Sequence, residues 1–505
     1  MFRSVFSNWV GLLVTGLISV ALTPILIHGL GDFYYGMWIL AGSMLEYYGL
    51  LDMGMRTAMF RYISQCKGAN DRSAMNQIFV SALAFTVVIG LCVVILTLLL
   101  VGVLPGFFKL TEASRHTFQL LVVLLGFSVA AAFPSRMLGA YLNSLERFDL
   151  YNLAAIVTSV LRAALIVAAL RLGHGVVGVA VATLGCSLFS LIFQWRLVLW
   201  VDPHLLLDWG RTSLKRIREL VSYGFFIFIY SAGDYLRFYT DSIVIARMLG
   251  TALVTPFSVA TRLMEYFKSI LSAVGGPLMG RMSELDGQSK EAELRQLFLA
   301  ATKITALLSL FLASLLVMDG RALLRLWIGG GMLTSYPLLL VLTTGYLVAM
   351  AQHSTLVVIS ARGRHRPMAL WTLVEGGANL ALSIYWARSY GLLGVALGTA
   401  VPMLVVNLLI QPWYALRVVD LSPGEYVRKA LARPAAVGAL FVGICWLAPA
   451  LGTESDIVQF VFRIAWQAAL FGLLAYLLGL ESGERRILRD RGRRLAAAVR
   501  LVRAA

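Results

Sequence analysis

The amino-acid sequence predicts an all-α polytopic membrane protein of about fourteen transmembrane helices. Three observations predict it. Fourteen apolar stretches have spanning length, since a bilayer core takes about 20 apolar residues of helix. Hydrophobic residues make up 59% of the 505 and charged residues only 14%, more apolar surface than a soluble domain of this size can bury. The basic residues fall mostly on alternate connections, the asymmetry that orients helical membrane proteins.

In chain order the spans cover 4–28, 33–55, 77–103, 117–142, 150–170, 176–198, 220–246, 253–279, 298–318, 335–360, 368–387, 392–416, 434–450 and 457–480. With a cytoplasmic N-terminus, the inside connections and tails carry 28 Lys and Arg and the outside loops 7. Only an even number of spans keeps that bias, so both termini are expected on the cytoplasmic side of a bacterial inner membrane. Arg61, Lys67, Arg72, Arg211, Lys215, Arg216, Arg362 and Arg364 are inside residues, and the tail 481–505 adds eight arginines. Basic loops beside apolar helices face anionic headgroups. The net charge of +17 therefore points to membrane lipids as partners and not to nucleic acid. The longest inside connection, 201–219, is expected to lie on the interface as a short amphipathic helix. The first apolar segment continues as a full span, so no cleavable signal is expected. Cys66, Cys92, Cys186 and Cys445 are isolated, which supports neither a metal site nor a disulfide framework.

The chain repeats itself. At an offset of 219, Leu30-Gly31 meets Leu249-Gly250, and Met44-Leu45-Glu46-Tyr47-Tyr48 meets Leu263-Met264-Glu265-Tyr266-Phe267. At an offset of 216, Gly175-Val176-Val177-Gly178 meets Gly391-Leu392-Leu393-Gly394, and Thr183 meets Thr399. Span 1 thus corresponds to span 7. Six helices return the chain to its starting side, so the units are parallel repeats, which pack as two bundles with a cavity between them. The expected organisation is a six-helix lobe over 1–200, the linker 201–219, a second six-helix lobe over 220–417, two further helices in 418–480 and a basic cytoplasmic tail over 481–505.

Three segments carry a family resemblance. They are Tyr35-Gly36-Met37-Trp38 with Gly49-Leu50-Leu51-Asp52-Met53-Gly54 and Arg61-Tyr62-Ile63-Ser64, then Glu146-Arg147-Phe148-Asp149-Leu150-Tyr151-Asn152, then Asp241-Ser242-Ile243-Val244-Ile245-Ala246. In this order they resemble the O-antigen-type lipid-linked oligosaccharide flippases of the multidrug/oligosaccharidyl-lipid/polysaccharide exporter superfamily. The resemblance spans most of 1–420. It implies two lobes around a central cavity and alternating access. It also implies a polyprenyl-pyrophosphate glycan as substrate, flipped from the cytoplasmic to the outer leaflet during surface polysaccharide biosynthesis. A polysaccharide polymerase and glycosyltransferases are the implied partners. Fourteen helices suit the lipid-glycan branch better than the twelve-helix drug-antiporter branch.

Charges within spans identify candidate site residues, because an ionisable group at mid-membrane costs roughly 3 kcal/mol and tends to face a cavity or a partner. Span 7 carries Tyr230, Asp234, Arg237 and Asp241, at steps of four, three and four on one helical face. Span 8 carries Arg262, Glu265 and Lys268, span 2 Glu46, span 4 Arg136, span 5 Arg162 and span 11 Glu375. Arg136, Arg162, Arg237, Arg262 and Lys268 form the candidate substrate-binding set, since a phosphate needs fixed positive charge in hydrocarbon and Arg matches its oxygens with a planar fork. Glu46, Asp234, Asp241 and Glu265 form the coupling or charge-balancing set, able to bind a proton or sodium ion. An Asp234–Arg237–Asp241 network that only locks span 7 is an equally direct reading. Arg56 reads as a snorkelling residue, and Lys303 and Arg463 as span-edge residues without a special role. Gly42 and Gly49 beside Glu46 suit either close helix contact or room for a ligand.

No nucleotide-binding signature, clustered histidine or nucleophile elbow occurs. No enzyme activity and no cofactor are expected. A cation-coupled exporter of small molecules or drugs is the alternative. A membrane glycosyltransferase or polymerase is disfavoured by the short outside loops.

Overall fold

The computed structural model describes residues 2–203, 205, 208–364, 366–447, 456–481 and 483–485. Among them there is no strand. The helices in chain order are α1 (Phe2–Glu46), α2 (Met55–Gly68), α3 (Arg72–Leu100), α4 (Leu104–Phe107), α5 (Glu112–Ser144), α6 (Phe148–Arg171), α7 (Gly175–Val201), α8 (Leu214–Phe238), α9 (Thr240–Met248), α10 (Val254–Gly287), α11 (Glu291–Trp327), α12 (Ser335–Ala351), α13 (His353–Ala361), α14 (Arg366–Val405), α15 (Gln411–Val419), α16 (Pro423–Tyr426), α17 (Ala432–Leu447) and α18 (Ile457–Leu474). Among the described residues ten helical stretches are long and apolar enough to cross a membrane. Two of them, Val10–Gly68 and Arg366–Val419, each hold two predicted spans, and α8 with α9 and α10 carry spans 7 and 8. Over their described residues the fourteen expected spans are predominantly helical, and the protein is a multi-pass membrane protein.

Glycine corners explain the merged helices. Gly31 breaks α1 at φ 71°, ψ 168°, and its repeat partner Gly250 sits at φ 111°, ψ 151°. Gly391 breaks α14 at φ 57°, and its partner Gly175 has φ 54°. A residue with a Cβ rarely adopts positive φ. The two sequence offsets therefore superimpose backbone conformation as well as residue type.

The chain forms two compact units, 1–259 with 366–399 and 260–365 with 400–505. In the first, α5 packs on α3 and α7, and α6 packs on α1 and α7. Met55, Met59, Ile63, Phe79, Met137 and Tyr141 are buried together near the ends of these helices, with the Phe79 and Tyr141 rings 4.7 Å apart. In the second, α11 packs on α12 and α17, and Phe311, Phe441 and Phe471 form an aromatic cluster with centroids 5.0–6.3 Å apart.

Three local expectations change. Among the described residues of the 201–219 connection, the helical structure between α7 and Ser213 is one 3-10 turn, Trp209–Arg211. Ser213 then caps the next helix by accepting from the Arg216 N–H, so α8 begins at Leu214. Span 7 is not one uninterrupted helix: it is distorted at Tyr239, between α8 and α9, where φ is −107° and ψ −18°. Lys303 and Arg463 are no idle span-edge residues. Lys303 is 4% exposed and holds both oxygens of Glu484 at 2.9 Å and Glu481 at 3.5 Å. Arg463 pairs with Asp319, itself 4% exposed, at 2.7 Å. These pairs tie α18 and its C-terminal extension to α11. The tail from 486 onward lies outside the described residues.

Candidate functional site

The first unit gathers an unusual number of charges among apolar helices. Its construction starts with two glycines. A Cβ on Gly233 of α8 would lie 2.6 Å from the backbone of Thr372, and one on Gly376 of α14 would lie 2.7 Å from the Gly233 carbonyl. Only glycine lets the two backbones come this close. The approach places Arg237, one turn beyond Gly233, against Glu375. Their atoms Nη1 and Oε1 are 3.1 Å apart, with side chains 12% and 3% exposed. The contact is Coulombic more than directional, since Glu375 Oε1 and Arg237 Nε have no hydrogen-bond partner. Asp234 and Arg237 both act on Glu375, and all three act on the Tyr230 hydroxyl.

A second cluster lies one turn further along. The Asp241 carboxylate, 2% exposed, accepts from Ser383 Oγ at 3.2 Å and Thr399 Oγ1 at 2.6 Å. Both hydroxyls also reach the Val395 carbonyl, at 3.4 and 3.2 Å. Asn379 reaches Asp241 and the Arg237 carbonyl at 3.4 Å, and its Oδ1 is buried without a partner. The result is a buried nest of one carboxylate, two hydroxyls and one side-chain amide. Such a set suits a proton or a small monovalent cation, for which backbone carbonyls and hydroxyls serve as ligands.

The third cluster surrounds a cavity of about 340 Å³ lined by Asp52, Arg56, Arg136, Ser231 and Tyr235 among others. Arg136, two residues after Pro134 in α5, lies 5.6 Å from the Phe133 ring. Arg56 bonds the Tyr151 hydroxyl at 3.3 Å. Both arginines act on Asp52, whose Oδ1 is buried without a hydrogen-bond partner. Tyr235 joins the clusters, because Glu46, Arg136, Asp52 and Asp234 all act on its hydroxyl. Tyr47 fastens this wall by donating to the Tyr235 carbonyl at 3.2 Å and hydrogen-bonding Thr240. Gly49 makes the close contact possible, as a Cβ there would meet the Tyr235 hydroxyl at 2.2 Å, whereas nothing lies within 4 Å of one on Gly42.

The structure thus brings Glu46, Arg136, Asp234 and Arg237 into one electrostatic neighbourhood. It separates Asp241 from the expected Asp234–Arg237–Asp241 network and gives that carboxylate hydroxyl partners on α14. Arg56, expected to snorkel, also lines this cavity. Arg162 lies apart on α6 and is exposed, acting on Cys186. In the second unit, Arg262 and Glu265 pair at 2.7 Å along α10, both partly exposed. Lys268 follows one turn later and acts on His353. Ser383 and Asn379 went unnoticed in the sequence. Their spacing of four in an apolar span was the available signal.

Residues 2–284, more than half of the chain, match the family described as Polysaccharide biosynthesis protein. The chain is 21% identical to the uncharacterized membrane protein EpsK of Bacillus subtilis (strain 168), covering 98% of each. It is 20% identical to a putative O-antigen transporter of Shigella flexneri, covering 81% of this chain and 96% of that one. Among solved structures, the lipid II flippase MurJ in an inward closed conformation aligns with a TM-score of 0.74 at 13% identity, over 94% of this chain and 98% of that one. An inward-facing multidrug resistance MATE family transporter of the MOP superfamily aligns with a TM-score of 0.63 at 17% identity, over 81% and 93%.

Proposed function

Because the chain belongs to the polysaccharide biosynthesis protein family, we propose that it is a flippase carrying a polyprenyl-pyrophosphate-linked oligosaccharide from the cytoplasmic to the outer leaflet by alternating access. One observation carries the reading: two arginines, Arg56 and Arg136, line a cavity inside a unit of apolar helices. A pyrophosphate cannot enter hydrocarbon bare, and two guanidinium forks offer it charge-assisted hydrogen bonds. Asp52 neutralises part of that charge while the cavity is empty of substrate. Tyr235 and Tyr47 supply aromatic faces and hydroxyls for sugar. The outlying Arg162, Arg262, Lys268 and Glu265 stay in the candidate set.

Resetting the transporter needs a driving force. In this reading the Asp241 nest binds the coupling proton or sodium ion, and Asn379 links it to the Arg237 backbone. The helices beyond the twelve that a drug antiporter needs favour the lipid-glycan reading over the drug-export one. The wide coverage of the match to a lipid II flippase supports the same choice at the level of fold.

The test is an assay of lipid-linked intermediates in a null mutant. Export is expected to stop while lipid-linked oligosaccharide accumulates, inaccessible to a membrane-impermeant probe from outside. A null mutant that makes no intermediate overturns the proposal in favour of an enzyme.

A further inference from the structure

A second cavity, of about 480 Å³, opens at the end of the first unit that the charge distribution assigns to the cytoplasm. It is distinct from the one holding Arg56 and Arg136. Lys67 at the end of α2, Arg72 at the start of α3 and Arg147 before α6 line it, together with Asn76, Tyr141 and Asp202. The carboxylates that hold two of these cations, Glu146 on Lys67 at 3.1 Å and Asp149 on Arg147 at 3.0 Å, are not among its lining. Arg72 makes no ion pair among the described residues.

The chemistry of the lining is two-sided. Arg147 is fixed in place. Its Nε and Nη2 grip Asp149 and its guanidinium lies 5.4 Å from the Trp200 ring, which leaves the Nη1 edge for a ligand. With Lys67 and Arg72 it offers three cations to one anionic group. The other side accepts hydrogen bonds. Asn76 is 9% exposed and its Oδ1 has no partner. The Tyr141 hydroxyl donates to Asp202 Oδ2 at 2.8 Å, so Oδ1 of that carboxylate is still available. A bare phosphate satisfies the cations and leaves the acceptors opposed. A ligand with an anionic phosphate at one end and hydroxyl donors at the other satisfies both.

We propose that this cavity binds a phosphoester bearing free hydroxyl groups, a class that includes the phosphoglycerol headgroup of an anionic inner-leaflet lipid and soluble polyol phosphates. At headgroup depth it sits where such groups are most concentrated. It is a site for a resident ligand, separate from the transport pathway proposed above.

The experiment is native mass spectrometry of the purified full-length protein with dioleoyl phosphatidylglycerol, phosphatidic acid or phosphatidylcholine at equal concentration. Phosphatidylglycerol is expected to be retained most, because phosphatidic acid lacks the hydroxyls and phosphatidylcholine lacks both hydroxyls and net charge. Arg72→Ala, at an exposed position, should weaken retention about tenfold or more, as loss of a charge-assisted hydrogen bond does. Arg147→Lys should weaken it while preserving the charge. Millimolar glycerol 3-phosphate that displaces the lipid and itself binds with Arg72 dependence identifies the free headgroup as sufficient. Failure to displace a lipid whose retention still depends on Arg72 identifies the intact lipid. Equal retention of phosphatidylglycerol and phosphatidylcholine, or full retention by Arg72→Ala and Arg147→Lys alike, overturns the proposal. A stability shift measured on the same variants separates loss of binding from misfolding.

Discussion

Arg237 of α8 and Glu375 of α14 meet 3.1 Å apart in an almost fully buried contact that exists because two glycines let their helices touch. Removing one partner of such a pair leaves an uncompensated charge and costs about 3–5 kcal/mol. Arg237→Ala is therefore expected to lower both thermal stability in detergent and export. The double variant Arg237→Met with Glu375→Leu should recover most of the stability. Export that stays low in the double variant marks the pair as functional, and export that returns with stability marks it as structural.

The glycines themselves give a sharper contrast. Gly376 and Gly377 are neighbours, yet a Cβ on Gly376 would strike the Gly233 carbonyl at 2.7 Å and one on Gly377 would meet nothing within 4 Å. Gly376→Ala should destabilise by roughly 1–3 kcal/mol through overpacking. Gly377→Ala should be neutral or stabilising by up to about 1 kcal/mol, since alanine is the better helix former. Thermal denaturation of the two variants, side by side, checks this. Equal behaviour would contradict the close approach of α8 and α14.

Asp241 supplies the only carboxylate of its nest. Asp241→Asn keeps the shape and most hydrogen bonds but removes the charge a bound cation needs. Export measured with imposed proton and sodium gradients should lose its dependence on one of them, with the protein present at normal level. An unchanged ion dependence would remove the nest from the coupling mechanism.

Topology has a direct measurement. In a background free of the four native cysteines, a cysteine at position 113 should react with an impermeant thiol reagent applied to intact cells, and one at 213 should not. Labelling at 213 would invert the orientation assigned from the charge distribution.

The span count and the repeat were legible in the sequence because each rests on local chemistry: runs of apolar side chains and glycines where the backbone needs positive φ. Gly31 with Gly250 and Gly175 with Gly391 show this, since the residue type itself reports the conformation. Partnerships between helices were not legible. Nothing in the spacing of span 7 says that Arg237 faces Glu375 or that Asp241 prefers Ser383 and Thr399, because that choice depends on how α8, α9 and α14 are rotated against one another. The distortion at Tyr239 has neither proline nor glycine to announce it. Asp319 carries no signal of its own in the sequence, since its role depends on Arg463 lying 2.7 Å away on α18.

The ion pairs that α11 makes with Arg463, Glu481 and Glu484 impose an order on biosynthesis. Lys303 and Asp319 enter the membrane with α11, well before the ribosome has made Arg463, Glu481 and Glu484. Until α18 and the residues after it arrive, Lys303 and Asp319 lack these partners, at a cost below the roughly 3 kcal/mol of a charge at mid-membrane. A nascent or truncated protein without α18, Glu481 and Glu484 would bear an unsatisfied polar seam on α11, and one that has them does not. α18 and the residues just after it thus act as a stitch across α11, closing the polar seam of the second unit.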